Sequence, residues 1–211
     1  FDGLVLTSDA LPPLQGWETV SLRSGTIFTL TAPLDVTDAG LLSIDSDSQL
    51  FVELGARLTG NLSNAGRIIT GNNRFEMSGN YSAGSDLLLT VSPASLSSGG
   101  LDIGGDVTGT TTVTFGSDGT EAPLQPESIL VISAPNDNRG TAGNFTSTSG
   151  DLVRLNGSAL PWLFNQHADN NWYLTAAVLP EVGGLAILSD ISRSDMREAT
   201  HLLFDRLSAV R

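Results

Sequence analysis

Apolar residues recur at intervals of about 20 residues through the first half of the chain, and this period limits the possible folds more than any other feature. One series, with steps of 19 or 20 residues, consists of Leu22, Leu42, Leu62, Tyr81 and Leu101. A second series, with steps of the same length, consists of Leu30, Leu50, Ile69, Leu88 and Val107. Two parallel series with one period predict a repeated unit that stacks along an axis.

Each repeat has the sequence pattern of short strands and turns. Residues 50–54 alternate between apolar and polar, residues 111–115 are β-branched or aromatic, and residues 128–132 have the pattern of a buried strand. Asn and Gly separate such runs, as in residues 64–66 and 71–73. Short strands that return every ~20 residues with no helix between them predict an all-β parallel β-helix, or solenoid. A β-sandwich is the alternative, but it would place strands every ~8–12 residues.

Composition narrows the possible functions. Hydrophobic residues make up 40% of the 211 residues, enough for a sizeable core, and only 16% are charged. The net charge is -13 and all ten basic residues are arginine, with no basic cluster, which excludes nucleic acid as a partner. Because the chain has no Cys, it has no disulfide, no thiolate metal site and no cysteine nucleophile. No apolar run approaches the ~20 residues of a membrane-spanning helix.

The pattern changes after about residue 110. Pro123, Pro126 and Pro135 interrupt the repeat, since proline lacks the N–H that a central strand needs. Residues 151–175 then hold a concentration of aromatic side chains, namely Trp162, Phe164, Trp172 and Tyr173. Aromatic residues at one end of a solenoid predict a cap, because a terminal coil must cover the open core and the unpaired strand edge.

The last part of the chain differs again. Residues 180–184 have the composition of a linker. Residues 189–211 are helical in pattern, because apolar residues follow one another at spacings of three and four, at Met196, Ala199, Leu203, Leu207 and Val210. The chain begins within a strand pattern and has no signal peptide, so we expect it to be an internal piece of a longer protein.

An ordered set of motifs in the C-terminal half indicates a family. The motifs are Gly-Asn-Tyr-Ser at 79–82, the apolar strand 87–91, the Asp/Gly-rich strand 101–111, the apolar strand 129–132, the Phe-bearing strand 144–146 and Asn-Trp-Tyr-Leu at 171–174. In this order they resemble the pertactin-like C-terminal passenger module of type Va autotransporters. The upstream segment 60–68 is similar to the generic coil repeat of that family. Residues 161–164 depart from the family, which usually has a Tyr-bearing strand there, and the tail lacks the Asn-Asn pair at which one branch cleaves itself.

The resemblance implies a fold, a domain division and a function. It implies a right-handed parallel β-helix with a C-terminal cap, followed by a short α-helix. The divisions are passenger coils at 1–85, the autochaperone and capping region at 86–178, a linker at 179–188 and a helix leading into the translocator barrel at 189–211. In this family the capping module emerges first at the cell surface, folds, and templates the coils that follow. The expected partner is the chain's own translocator β-barrel, and the expected location is the surface of the outer membrane or the medium beyond it.

The resemblance and the pattern also predict which residues form the folding core. Leu101, Ile103, Val113 and Phe115 supply the apolar interior under the cap, and Trp172, Tyr173 and Leu174 seal the terminal coils. We expect no catalytic residue, no cofactor and no metal. Two other functions stay open at this point: an adhesin segment that binds ligands on a host surface, and a β-helix carbohydrate-active enzyme.

Each chemical alternative depends on a few residues. An enzyme would need carboxylates and cations on one face, and Arg57, Arg67 and Arg74 could line such a groove with Glu53 or Glu76. The two histidines, His167 and His201, are isolated, and the chain has no Gly-x-Ser-x-Gly nucleophile elbow. Residues 45–47 begin like a Ca²⁺ loop, but Leu50 replaces the required glycine. Trp162 and Trp172 could stack on a sugar, although packing in the cap is the favoured interpretation.

Overall fold

Short strands and tight turns wind the chain into a parallel β-solenoid of about five coils, as described by a computed structural model. The structure describes residues 1–10, 17–36, 40–121, 127–135, 144–158 and 160–176. Within most strands, buried side chains alternate with half-exposed ones, since successive residues point to opposite faces of a sheet. One row of side chains therefore fills the solenoid interior and the other forms its surface.

Each complete coil contributes one strand to each of three faces. Coil 1 consists of β2 (Thr19–Leu22), β3 (Ile27–Leu30) and β4 (Leu34–Asp35). Coil 2 consists of β5 (Leu41–Ile44), β6 (Gln49–Val52) and β7 (Arg57–Thr59). Coil 3 consists of β8 (Asn61–Asn64), β9 (Arg67–Gly71) and β10 (Arg74–Met77). A further strand, β1 (Val5–Thr7), pairs with β3 ahead of coil 1 and is followed by a 3₁₀ turn, Ser8–Ala10.

Coils 4 and 5 are less regular. Coil 4 consists of β11 (Tyr81–Ala83), β12 (Asp86–Ser92), the short antiparallel β13 (Ser97–Ser98) and β14 (Gly100–Ile103). Coil 5 consists of the long strand β15 (Val107–Ser117), which runs through two faces, and β16 (Ser128–Ser133). The remaining strands are β17 (Asn144–Ser147), β18 (Leu152–Val153), β19 (Trp162–Gln166) and β20 (Trp172–Ala176).

Parallel pairing between successive coils generates the faces. Face 1 contains β2, β5, β8, β11 and the first part of β15; face 2 contains β1, β3, β6, β9, β12, the second part of β15, and β17. Face 3 contains β4, β7, β10, β14 and β16, and then continues through β20, β19 and β18. The inner side chains of all three faces form one continuous apolar core.

Asparagines at one corner link successive coils. The side-chain oxygen of Asn61 accepts the backbone N–H of Asn80 at 2.9 Å, and its amide nitrogen donates to the carbonyl of Gly40 at 3.2 Å. One coil later, the side-chain oxygen of Asn80 accepts the N–H of Asp106 at 2.8 Å. A Cβ at Gly79 would lie 2.4 Å from the carbonyl oxygen of the glycine one coil before. The recurring Gly-Asn pair is therefore required by close stacking and by the corner hydrogen bonds.

The predicted ladders have the right period but partly the wrong register. On face 1 the interior ladder consists of Val20, Leu42, Leu62, Tyr81 and Val107. Leu22 pairs with Ile44 instead, and Leu101 belongs to face 3. On face 2 the interior ladder consists of Phe28, Leu50, Ile68, Leu87 and Val113. Ile69 and Leu88 are half-exposed on its outer side, so the second predicted series is wrong there.

The prediction of an all-β parallel solenoid is confirmed by the strand pairing. Its right-handed sense, its cap and the domain boundaries stay predictions. Residues 177–211, with the linker and the predicted helix, lie outside the described residues, whereas Phe1–Ala176 form one compact unit. Within the described chain, no helix is long and apolar enough to cross a membrane.

Candidate functional site at the end of the solenoid

Strand β16 is the point where parallel pairing changes to antiparallel pairing. One edge of β16 pairs parallel with β14, and the other pairs antiparallel with β20. Strands β20, β19 and β18 then pair antiparallel with one another. The register of β16 against β20 shifts between Leu130 and Ile132, which leaves Val131 as a bulge. We call the region from β14 to β20 the junction.

One arginine joins three coils at this bulge. Arg74, on β10, forms an ion pair with Asp102 on β14, and its Nε donates to the same carboxylate at 2.8 Å. Its Nη1 donates to the carbonyl of Leu130 on β16 at 3.1 Å, and its Nη2 donates to the carbonyl of Leu101 at 3.3 Å. The Leu130 carbonyl also accepts the hydroxyl of Ser98 at 2.8 Å. Since a bulge disrupts the ladder locally, these side chains satisfy a carbonyl at the irregular point of β16.

Two glycines permit the close approach of the strands beside the bulge. A Cβ at Gly100 would lie 1.9 Å from the carbonyl oxygen of Val131, and a Cβ at Gly99 would lie 1.9 Å from the carbonyl oxygen of Gly71. Neither distance is possible for a real side chain, so both positions require glycine. The glycine pair is therefore a contact between coils.

Aromatic rings fill the interior beneath the junction. Tyr81 stacks on Phe145 with 6.0 Å between ring centroids, and Phe145 meets Trp172 edge-on at 4.8 Å. Phe115 meets Phe164 edge-on at 5.0 Å. Edge-to-face pairs of this kind add about 0.5–1.5 kcal/mol each beyond the area that they bury. They connect coils 4 and 5 to β17, β19 and β20.

A small polar network lies within this apolar interior. The hydroxyl of Tyr81 shares a hydrogen bond with Thr111 at 2.9 Å and accepts one from the amide of Asn64 at 3.3 Å. All three residues are buried. Burial raises the pKa of the Tyr81 phenol, so the group stays neutral and its hydroxyl serves only as a hydrogen-bonding group.

The turn between β19 and β20 is held by its own side chains. The carboxylate of Asp169 accepts the hydroxyl of Tyr173 at 2.7 Å and the amide of Asn171 at 3.0 Å. The side-chain oxygen of Asn171 accepts the N–H of Ala134, which follows β16, at 2.9 Å. The hydrogen bond from Tyr173 lowers the pKa of Asp169, and the pKa of Tyr173 is raised by the same contact. The ring of His167 lies 4.4 Å from that of Tyr173.

The structure places most of the predicted core residues in the interior. Leu101, Ile103, Val113, Trp172 and Leu174 are buried. Two others differ: Phe115 is only partly buried against the core, and Tyr173 is half-exposed and bonded to the turn. The role of all seven in folding stays a prediction.

Sequence reasoning missed the polar residues of the junction. In the sequence, Arg74 is a candidate only for an enzyme groove, and Asp102 and Asn171 are only parts of strand motifs. The signal for Arg74 is an arginine at the start of a short strand, Arg74–Met77, in a chain with few cations. Its partners lie 28 and 56 residues away, a separation at which sequence spacing alone says nothing.

The three arginines considered for an enzyme groove do not share one face of the solenoid. Arg67 is on face 2 and pairs with Asp86 at 3.4 Å, whereas Arg74 is on face 3 and pairs with Asp102. Arg57 lies beside Glu76 on face 3. The three arginines therefore lie on two different faces, and two of them, Arg67 and Arg74, are in ion pairs with Asp86 and Asp102.

The remaining chemical alternatives have structural explanations. Asp45 accepts the backbone N–H of Ser24 at 2.7 Å and shapes its own turn, and the hydroxyl of Ser48 is the main cause of its lowered pKa. Among the described residues, no group of three or more metal-ligating side chains is found. Trp162 and Trp172 are both buried, so neither offers a ring face to a sugar. His201 lies outside the described residues.

Comparisons with known proteins do not assign the chain to a family. No family model and no curated protein matches the sequence. Among solved structures, the Hap adhesin of Haemophilus influenzae is similar, with 14% sequence identity over 75% of this chain and a TM-score of 0.39. The matched part spans 22% of that adhesin chain.

Proposed function

We propose that the chain is the C-terminal part of an autotransporter passenger, and that its junction nucleates folding of the solenoid during export. The proposal combines the ordered motifs of residues 79–174 with the parallel solenoid that contains them. It includes the chain's own translocator barrel as partner and the cell surface as location. No reaction and no cofactor belong to this function.

The observation that carries the proposal is the pairing of β16. A parallel strand with a free edge accepts another coil, but here β20 occupies that edge in the antiparallel sense. The hairpin of β19 and β20 is local in sequence, so it forms at a small cost in chain entropy. Once formed, it presents β16 as a complete template on which β14 and then β10 pair in parallel.

The contacts of Arg74 couple this template to the preceding coils. Coils of a solenoid are stabilised by their nearest neighbours, and folding spreads from the first stable unit. The guanidinium reaches from β10 across β14 to β16. The junction and coils 3 and 4 therefore share side-chain contacts as well as the backbone ladder. Folding from the C-terminal end would oppose backsliding of the chain during export.

Pulse-labelled hydrogen exchange during refolding of the whole chain tests the nucleation role. The proposal predicts that amides of β14, β16 and β20 become protected before those of β2, β3 and β5. Limited proteolysis of the native chain should likewise leave a core that spans about residue 80 to 176. If coils 1 and 2 gain protection first, or outlast the junction under protease, the nucleation role is wrong.

A pair of tryptophan variants tests the same role in the full-length protein. Trp172→Asp places a charge in the buried aromatic stack and should abolish protease-resistant folding at the surface while the barrel still inserts. Trp17→Asp is the matched control, because Trp17 is 51% exposed at the other end of the described solenoid. Normal surface folding of the Trp172→Asp variant would refute the proposal.

A further inference from the structure

A polar notch opens at the corner between faces 1 and 2. The corner between β5 and β6 contains four residues, 45–48, whereas the corresponding corner of the next coil contains only Ala65 and Gly66. The longer turn therefore overhangs the shorter one and leaves a concave space of about 230 Å³. The next coil closes the far side with Ser85 and Asp86. Differences in turn length build the notch, so it is present in the folded solenoid without rearrangement.

The lining of the notch combines hydrogen-bond donors and acceptors. Asp47 and Asp86 contribute carboxylates, Arg67 a guanidinium, Gln49 an amide and Ser46 a hydroxyl. Arg67 and Asp86 form an ion pair at 3.4 Å, and both side chains are 49% exposed. Exposed pairs of this kind are worth little, so their hydrogen bonds can be exchanged for bonds to a ligand. Carboxylates and a guanidinium side by side suit adjacent hydroxyl groups, which both donate and accept.

An apolar shelf lies directly beside the notch on face 2. Phe51, Ile69 and Leu88 are register partners on three successive strands, and each is half-exposed. They follow Gln49, Arg67 and Asp86 by two residues, so they point to the same outer side about 7 Å further along each strand. The polar notch and the apolar shelf therefore form one continuous surface, which is polar on one side and apolar on the other.

We propose that this surface binds a neutral pyranose residue of a glycan. A pyranose presents hydroxyl groups at its rim and an apolar C–H surface on its ring, which match the notch and the shelf respectively. The two carboxylates exceed the single guanidinium, so the lining disfavours sialic acid, uronic acids and sulfated sugars. The space is below the ~300–1,000 Å³ of pockets for drug-sized ligands and suits one sugar ring. Because the contacts are exposed or half-exposed, we expect a Kd on the order of 1 mM for a single sugar.

Titration of the isotope-labelled whole chain with small glycosides, followed by amide chemical shifts in NMR, tests this site. The probes are the methyl glycosides of glucose, galactose, mannose and N-acetylglucosamine, with N-acetylneuraminic acid as the anionic probe. At least one neutral glycoside should shift amides of residues 46–51, 65–69 and 85–88 in a saturable manner, and the anionic probe should not. Failure of all four neutral probes at these amides overturns the proposal, as does an equal response to the anionic probe.

Two variants separate specific binding from a general effect of sugar. Arg67→Met should weaken the neutral glycoside about tenfold or more, because it removes the donor that faces the hydroxyl groups. Arg57→Met is the control, since Arg57 is an exposed arginine on face 3 and its loss should leave the titration unchanged. Unchanged binding by the Arg67→Met variant would show that the glycoside associates non-specifically and would refute the site. Neither variant touches the junction, so this result is independent of the proposed role in folding.

Discussion

Removal of the Arg74 guanidinium tests whether the junction is energetically coupled to the coils. The variant Arg74→Met keeps the length and apolar stem of the side chain but removes the contacts to Asp102, Leu101 and Leu130. The Leu130 carbonyl keeps its bond from Ser98, so the main loss is the charge-assisted pair with the carboxylate. The variant therefore separates the polar contacts from the packing of the side chain.

The expected loss of stability follows from the partial burial of the pair. The Arg74 and Asp102 side chains are 29% and 30% exposed, between the exposed and the fully buried case. Exposed pairs contribute about 0–1 kcal/mol, whereas breaking a buried pair costs about 3–5 kcal/mol. We expect Arg74→Met to lower the free energy of unfolding by about 2 kcal/mol, a Tm decrease of roughly 4–8 °C for a chain of this size.

A double-mutant cycle measures the coupling itself. Arg74→Met, Asp102→Asn and the double variant are compared by urea unfolding, with far-UV circular dichroism and Trp fluorescence as probes. We expect an interaction energy of about 1–2 kcal/mol. The matched cycle uses Arg67→Met and Asp86→Asn. The Arg67 and Asp86 side chains are both 49% exposed, so the interaction energy of this pair should be less than about 0.5 kcal/mol. Equal interaction energies in the two cycles would refute the reasoning.

Three further predictions concern contacts within the junction and in the interior beneath it. Gly100→Ala forces a Cβ to within 1.9 Å of the Val131 carbonyl and should destabilise the chain by about 3 kcal/mol, measured by urea unfolding. Tyr81→Phe removes a buried hydroxyl with two partners and should cost about 1–3 kcal/mol in the same assay. The lowered pKa of Asp169 stabilises the β19–β20 turn above about pH 4, the carboxylate's unfolded value, and this stability is lost as the pH falls through the folded pKa. The protection factors of the turn amides, which are exchange rates corrected for the intrinsic effect of pH, should therefore fall in acid, and Tyr173→Phe should reduce this pH dependence.

The period of the solenoid could be predicted from the sequence, but its register could not. On face 1 the interior positions Val20, Leu42, Leu62, Tyr81 and Val107 are separated by 22, 20, 19 and 26 residues. Turns of different length cause these unequal steps. A search for equal steps finds the middle coils and drifts by two residues at coil 1, where Leu22 replaces Val20. A shift of two residues keeps a side chain on the same face of its strand, so the predicted position is still an apolar interior position.

The junction was less predictable because its contacts are distant in sequence. The aromatic concentration at residues 162–173 correctly indicated buried packing, since Trp162 and Trp172 have no other place to bury such large apolar surfaces. The ion pair of Arg74 with Asp102, by contrast, depends on which strands are neighbours. The notch depends on differences in turn length between coils, which no motif encodes.

Hydrogen exchange of the Arg74→Met variant also distinguishes between two physical explanations of the junction. If the antiparallel hairpin only covers an open core, Trp172→Asp should be costly, while Arg74→Met should change the exchange of β10 alone. If the junction is a coupled template, Arg74→Met should raise exchange in β10, β14 and β16 together, because its guanidinium contacts all three strands. The second pattern is the one that the geometry favours, since the Leu130 carbonyl accepts donors from two earlier coils at the bulge. Exchange that rises in β10 only would show that the hairpin caps the solenoid without communicating with it.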